Sequence, residues 1–240
     1  MKINLTHRDF ITTPDIAPPE LIDFYFEYDT QKKLIKKTSG IYSSNGYFLN
    51  NFYTSLIYKG NKVTVEEFSS LATHIVFKNT NYYTLNNKNQ IIIREIPDTQ
   101  HNDRYKKYLY KYDNNKLIEI TTTLPNRPYD INKPYYSYVL TYSEKLYYDS
   151  NGNLSKTEYY EQHDGVNVGN KIIRTFEDYD TSYNPTKRLF LLEEYFYRSL
   201  SNNNFRKYTK NTYGEFNNLI SFSTTSLGFT YDSSGNIIIN

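Results

Sequence analysis

Two acidic pairs, Glu66–Glu67 and Glu193–Glu194, are among the residues that could carry acid–base chemistry. In strands, the members of each pair point to opposite faces, so neither pair alone supplies an acid and a base to one substrate. A third carboxylate from elsewhere would be needed, as in a glycosidase-like site assembled across strands. The four histidines, His7, His74, His101 and His163, are scattered without metal-ligand spacing, and no metal and no cofactor is expected. Asp149, Asn151 and Asn153 imitate the opening of a calcium loop. However, Gly152 arrives at position 4 instead of 6, and position 12 is Tyr160 where a bidentate glutamate is needed. The chain has no P-loop, dinucleotide fingerprint or Gly-x-Ser-x-Gly elbow. It contains no cysteine, which removes disulfides, thiolate metal sites and thiol nucleophiles. The sequence does not specify a reaction.

Tyrosine is the abundant chemistry-bearing residue, at 28 of 240 positions, while alanine occurs only as Ala17 and Ala72. This balance favours strands over helices, because aromatic and β-branched side chains fit a pleated surface. AT-rich codons contribute to such a composition but do not explain ordered spacing. The net charge of +2 and pI of about 8.4 do not call for a nucleic-acid partner. The lysines at 32, 33, 36 and 37, and the basic residues at 104, 106, 107 and 111, read as solvated faces or edge protection. The start, "MKINLTHRDFITT", lacks the apolar stretch of a signal peptide. The expectation is either a protein that stays in the cytoplasm or a trimmed mature chain. No apolar run is long enough for a membrane-spanning helix.

One phrase recurs about every thirty residues. It reads "YDTQKKL" from Tyr28–Asp29, "YDNNKL" from Tyr112–Asp113, "YDSNGNL" from Tyr148–Asp149, "YGEFNNL" from Tyr213 and "YDSSGNI" from Tyr231–Asp232; weaker copies start at Tyr58, Tyr83 and Tyr179. Asp149 and Asp232 suit the first position of a type I turn, where a carboxylate accepts backbone N–H groups. Gly152 and Gly235 fall where a left-handed conformation is needed. The tyrosine before the turn and the aliphatic after it then pack across the hairpin. Lys32 and Lys116 replace the glycine in two copies, which predicts looser turns or turns of another type.

These cassettes predict an all-β antiparallel meander of about 14–16 strands, each unit being a hairpin of ~30 residues. Residues 1–20 read as an N-terminal linker or strap, on account of Pro14, Pro18 and Pro19, and 21–240 as one β domain. Short turns should gather at one end and long connections, such as "LPNRPYDINKP" and "EQHDGVNVGN", at the other. Residues 64–74 carry a capping pattern, Thr64 and Glu67, and are expected to form a single helix. So large a sheet cannot stay flat, so a curled or barrel-like form is expected, with two stacked sheets as the alternative. Alternation puts Tyr108, Tyr110 and Tyr112 on one face, and Tyr136, Tyr138, Leu140 and Tyr142 on one face of a second strand. Tyr108, Tyr110, Tyr136 and Tyr138 are therefore candidates for stacking on a ligand, beside the alternative that these rings simply pack between strands. Charges on both faces of 154–161 and of 190–197 argue against a lipid-facing barrel.

The phrase carried by Tyr28, Asp29, Tyr112, Asp113, Tyr148, Asp149, Gly152, Tyr231, Asp232 and Gly235 resembles the YD repeats of RHS-type proteins, whose strands wind into a β shell. The chain also resembles tyrosine-rich surface lipoproteins of the Bacteroidota, which have a porin-like β fold and no assigned activity. That resemblance implies a cell-envelope location, at the surface or in the periplasm, peripheral to the membrane at most. Two functions follow as expectations. The first is a non-enzymatic binding or scaffold module that grips a glycan or protein partner in the envelope through tyrosines and long loops, with no nucleic acid involved. The second is a glycoside hydrolase-like enzyme with carboxylates in the lumen of the curled sheet. Exposed coplanar tyrosines would favour the first, and buried carboxylates facing each other in a cleft the second.

Overall fold

The computed structural model describes residues 2–6, 21–42, 48–69, 79–98, 100–233 and 237–239. Its strands are β1 (Lys2–Thr6), β2 (Leu21–Tyr28), β3 (Leu34–Tyr42), β4 (Phe48–Lys59), β5 (Lys62–Ser69), β6 (Asn79–Leu85), β7 (Ile91–Ile96), β8 (Lys106–Asp113), β9 (Lys116–Thr123), β10 (Leu140–Tyr148), β11 (Leu154–His163), β12 (Val166–Tyr179), β13 (Phe205–Tyr213), β14 (Leu219–Ser226), β15 (Phe229–Tyr231) and β16 (Ile237–Ile239). All belong to one sheet, so two stacked sheets are not formed. Strands β2 to β14 follow one another as an antiparallel meander; β1 lies beside β2, β16 runs parallel to β1, and β15 is the far edge.

The edges β14 and β15 are not paired with each other, so the sheet is open. Yet only Leu227 and Gly228 separate β14 from β15 in sequence. The three steps from Ser226 to Phe229 span at most about 11 Å, so the opposite edges come close at this point and the sheet must curl around. Accumulated strand twist supplies that curvature.

The turns show why the phrase recurs. Asp149 accepts the amides of Asn151 and Asn153 on Oδ1 at 2.9 and 2.8 Å, and its carbonyl accepts the Gly152 amide at 3.1 Å. Asp29 repeats the pattern with Gln31, Lys33 and Lys32. Asn86 repeats it with Lys88, Gln90 and Asn89. The left-handed position holds Gly152 at φ 80°, but also Lys32 at 63°, Asn89 at 58° and, in the turn from Gly214, Asn217 at 59°. The expectation that Lys32 loosens its turn is therefore corrected: the side-chain and backbone bonds around Asp29 hold lysine in the same conformation. The copy at Asp113 does differ, being a two-residue turn with Asn114 and Asn115 both left-handed. Asp232 lies just past β15, and Gly235 falls outside the described residues.

In four of the clear copies the tyrosine faces its aliphatic directly across the hairpin: Tyr28 and Leu34, Tyr112 and Leu117, Tyr148 and Leu154, Tyr231 and Ile237; in two weaker copies Tyr83 faces Arg94 and Tyr179 faces Phe205 instead. Leu34, Leu117 and Leu154 are buried, so these pairs form the layers of the inner wall.

Several expectations change. Lys2–Thr6 is a strand within the stretch read as a strap, while residues 7–20 lie outside the described residues. Residues 62–69 form β5 instead of opening a helix, because Val63 and Val65 are both buried on the inner wall and a helix would separate them; residues 70–78 are outside the described set. The β2–β3, β4–β5, β6–β7, β8–β9 and β10–β11 turns share one end of the meander, as expected. Beyond β11 the plan reverses. The stretch "EQHDGVNVGN" is mostly strand around a two-residue Asp164–Gly165 turn at the long-loop end. The longest described connection, residues 180–204, leaves β12 at the short-turn end.

Candidate functional site: a plugged, tyrosine-lined lumen

Residues 180–204 fold into the lumen as a plug. Pro185–Leu189 and Glu193–Tyr195 are 3-10 turns, and Phe196–Ser199 is one helical turn. Asn184 starts it, accepting the Thr186 amide at 2.9 Å and donating to the carbonyls of Arg198 and Ser201 at 2.6 and 3.0 Å. Leu189, Leu192 and Tyr195 share one face at the three-residue spacing of a 3-10 helix. With Leu191 they pack on Phe26, Leu56, Val63, Tyr83 and Ile91 of the sheet. The reading of 190–197 as a strand is thereby corrected. The backbone closes i→i+3 bonds, Leu192 to Leu189 and Tyr195 to Leu192, and needs no strand partner.

Ion pairs tie the plug to opposite walls. Glu194 pairs with Lys37 of β3. Glu193 accepts from Arg94 of β7 at 2.6 Å, while Arg94 also donates twice to Asn81 Oδ1 at 3.1 and 2.9 Å. On the other wall Tyr197 donates to the two oxygens of Glu144 in β10, at 2.8 and 3.0 Å, and Arg174 of β12 donates to Glu144 at 3.0 Å. Glu144 is only 7% exposed, so its charge is matched inside the protein.

Between plug and wall lies a cavity of about 240 Å³ lined by Arg94, Lys106, Tyr108, Tyr142, Glu144, Tyr159, Arg174 and Tyr197, among others. Tyr142 and Tyr159 stack with centroids 5.4 Å apart. Arg94 lies 5.2 Å from the Tyr108 ring centroid, and Arg174 5.4 Å from that of Tyr197. Burial opposes the charge on Arg174, but its surroundings, with the Glu144 carboxylate 3.0 Å away, hold its pKa above the usual arginine value. Burial likewise opposes the Arg94 charge, offset by Tyr83 and Glu193. Burial drives the hydroxyls of Tyr110 and Tyr197 well above the ordinary tyrosine range, so both remain neutral donors. Glu144 and Glu193 line this one cavity, as the hydrolase reading requires. Each is bound to an arginine, however, and Glu144 also to Tyr197, which is the arrangement of a structural clamp.

The four stacking candidates separate into two places. Tyr108 and Tyr110 face the lumen: Tyr108 lies against Arg94, and Tyr110 meets Phe196 of the plug edge to face at 6.0 Å. Tyr136 and Tyr138 lie in the β9–β10 loop, not in a strand, because β10 starts only at Leu140. Two i→i+3 bonds, Lys133 to Asp130 and Tyr136 to Lys133, turn the chain there. Arg127 covers both rings, 4.8 Å from that of Tyr138, which also stacks on His163 at 3.6 Å. The exposed aromatics of the loop are instead Tyr129 and Tyr135. The placing of Lys37 on a solvated face is corrected: Lys37 is buried because it turns inward to pair with Glu194 of the plug. Sequence reasoning missed Arg94 and Arg174. A lone cation at an inward position of an otherwise apolar strand, as in "IIIREI" and "KIIRTF", is the pattern that marks them.

No protein-family model and no curated protein matches the chain. Among solved structures it is similar to a porin-like protein from Bacteroides uniformis ATCC 8492, with 16% sequence identity and a TM-score of 0.50 over 94% of this chain and 84% of that one. A porin-like protein from Bacteroides vulgatus ATCC 8482 matches more loosely, with 10% identity and a TM-score of 0.41 over 91% of each chain. At these identities the likeness shows the fold: a porin-like β architecture.

Proposed function

We propose that this protein is a non-enzymatic cell-envelope module that binds a protein or glycan partner through its long-loop end. The observation that carries this reading is the contrast between the two sets of aromatics. Lumen tyrosines and carboxylates are tied to the plug, whereas Tyr129, Ile131 and Tyr135 stand 61, 66 and 79% exposed. The loop presenting them is internally braced by Asp130, which accepts the Asn132 amide at 3.0 Å and donates its own to the Tyr136 carbonyl at 2.8 Å. Exposed aromatics on a braced loop offer rigid contact area at low entropic cost.

The envelope location rests on the fold likeness and is part of the proposal. A position peripheral to the membrane is supported by the outer face. It carries the pairs Lys36–Glu27, Lys111–Glu119, Lys156–Glu158 and Lys207–Glu177 where a lipid-facing barrel needs an apolar band. The test is a glycan array and an envelope-extract pull-down, comparing the native chain with Tyr129→Ser/Tyr135→Ser. Loss of capture in the variant supports the proposal. Glycan hydrolysis that disappears in both Glu144→Gln and Glu193→Gln would establish the hydrolase reading instead.

A further inference from the structure

The short-turn end, opposite the loop surface just described, holds two cavities of about 530 and 340 Å³. Both lie within the range of small-ligand sites, about 300–1,000 Å³. Asn89, Lys187 and Phe190 line both, so the two open side by side as one groove with Phe190 between them. Its cations are Lys32, Lys33, Lys116, Lys187 and Arg188, and no described aspartate or glutamate lines either cavity. In a chain with 28 basic and 26 acidic residues, that segregation is a local departure from balance.

Amides and aromatic rings share the rest of the lining with aliphatic side chains, Leu34, Leu85, Ile91, Leu117 and Leu200. Lys33 and Lys116 sit 5.3 and 5.2 Å from the ring centroids of Tyr58 and Tyr148, the same relation in two different hairpins. The amide side chains are held in place by neighbouring turns: Gln90 donates to the Asn115 carbonyl at 3.1 Å, and Asn202 to that of Asn151 at 2.6 Å.

We propose that this groove binds an acidic oligosaccharide, its lysines and arginine pairing with carboxylate or sulfate groups and its amides with ring hydroxyls. Clustered cations supply attraction, and no carboxylate stands in the lining itself, Asp29 acting on Tyr58 from beside it. Asn and Gln offer a donor and an acceptor together, which suits neighbouring hydroxyls better than a phosphate backbone. Two pockets parted by a phenyl ring also fit a chain of discrete sugar rings better than a flat membrane or a duplex.

The test is calorimetric titration of the full chain with a short oligogalacturonate, a sulfated oligosaccharide, the neutral galactose oligomer, duplex DNA and phosphatidylglycerol vesicles. The expected result is binding of at least one of the two acidic sugars and none of the neutral one. Affinity should fall at least ~10-fold in Lys32→Gln/Arg188→Gln, which corresponds to about 1.4 kcal/mol. Lys156→Gln on the outer face, and Tyr129→Ser/Tyr135→Ser, should leave it unchanged; the latter separates this groove from the loop surface. Circular dichroism confirms that each variant is folded. The proposal is overturned if neither acidic sugar binds, if the neutral oligomer binds equally well, if the double variant keeps native affinity, or if DNA or vesicles bind as tightly.

Discussion

The hydroxyl of Tyr148 donates to the backbone carbonyl of Leu117, 3.0 Å away on the neighbouring hairpin. Tyr58 does the same to Leu34 at 3.0 Å, and Tyr179 to Leu154 at 2.5 Å. In all three cases the strand ladder stops two residues short of the leucine, at Lys36, Glu119 and Lys156. The tyrosine hydroxyl completes the row where the backbone amides end. This accounts for tyrosine, and not phenylalanine, at the head of these three copies.

Tyr148→Phe keeps the ring and removes that donor, so the leucine carbonyl loses its partner. The expected loss is about 1–2 kcal/mol, since a buried acceptor left unpaired costs more than an average hydrogen bond gains. Tyr58→Phe should behave alike. Tyr147→Phe, on the outer face beside Glu158, should change stability by less than about 0.5 kcal/mol. Urea unfolding of the three variants checks this, with an unchanged m-value as the control.

Arg174→Met strands the buried Glu144 carboxylate, for which the expected destabilisation is about 3–5 kcal/mol. The double replacement Arg174→Met/Glu144→Leu should recover much of it, because an apolar pair needs no charge matching. A double-mutant cycle with chemical denaturation reads the coupling. Simple additivity would show that Arg174 does not neutralise Glu144 within the β10–β12 wall.

Lys32 occupies the left-handed position that Gly152 fills in the sister turn. Lys32→Gly should stabilise the fold by about 0.5–1 kcal/mol, the relief of backbone strain exceeding the added unfolded-state entropy. The reverse change, Gly152→Ala, should destabilise. Its φ of 80° is strained for alanine, and the added carbon would lie 2.6 Å from Asn202 Nδ2. Thermal melts of both variants test the pair of signs.

Burial pushes Tyr112 up to about 12, and burial with Asp29 and Tyr28 does the same to Tyr58. A folded-state pKa above the unfolded value of 10 means that the folded chain keeps protons the unfolded chain releases. The stabilisation is therefore complete below pH 10 and is lost as pH rises from about 10 to about 12. Alkaline titration should show phenolate absorbance rising together with loss of the β-sheet circular dichroism. Reaching the full phenolate absorbance of all 28 tyrosines with the sheet signal intact would contradict it.

The hairpin cassette was legible because its cause is local: a carboxylate or amide at one position catches amides two and four residues later. Lys32 and Asn89 were harder to place, since a turn closed by Asp29 or Asn86 imposes the left-handed conformation on residues that do not favour it. The plug was hidden for the opposite reason. Its leucines at 189, 191 and 192 fit either an alternating or a helical pattern, and only the surrounding wall decides between them. The capping pattern at Thr64 and Glu67 failed in the same way, overridden by burial of Val63 and Val65. The lumen cations share this origin, because the glutamates that neutralise Lys37 and Arg94 come from a segment more than ninety residues downstream.

The parallel pairing of β1 with β16 has a consequence for biosynthesis. Strands β2 to β14 each contact a sequence neighbour, so they can zip up in order as the ribosome delivers them, with small loop-closure entropies. Strand β1 cannot find its far-side neighbour until Ile237–Ile239 have been made, more than two hundred residues later. Until β16 forms, that margin of β1 waits as an unmet template, open to pairing with other chains.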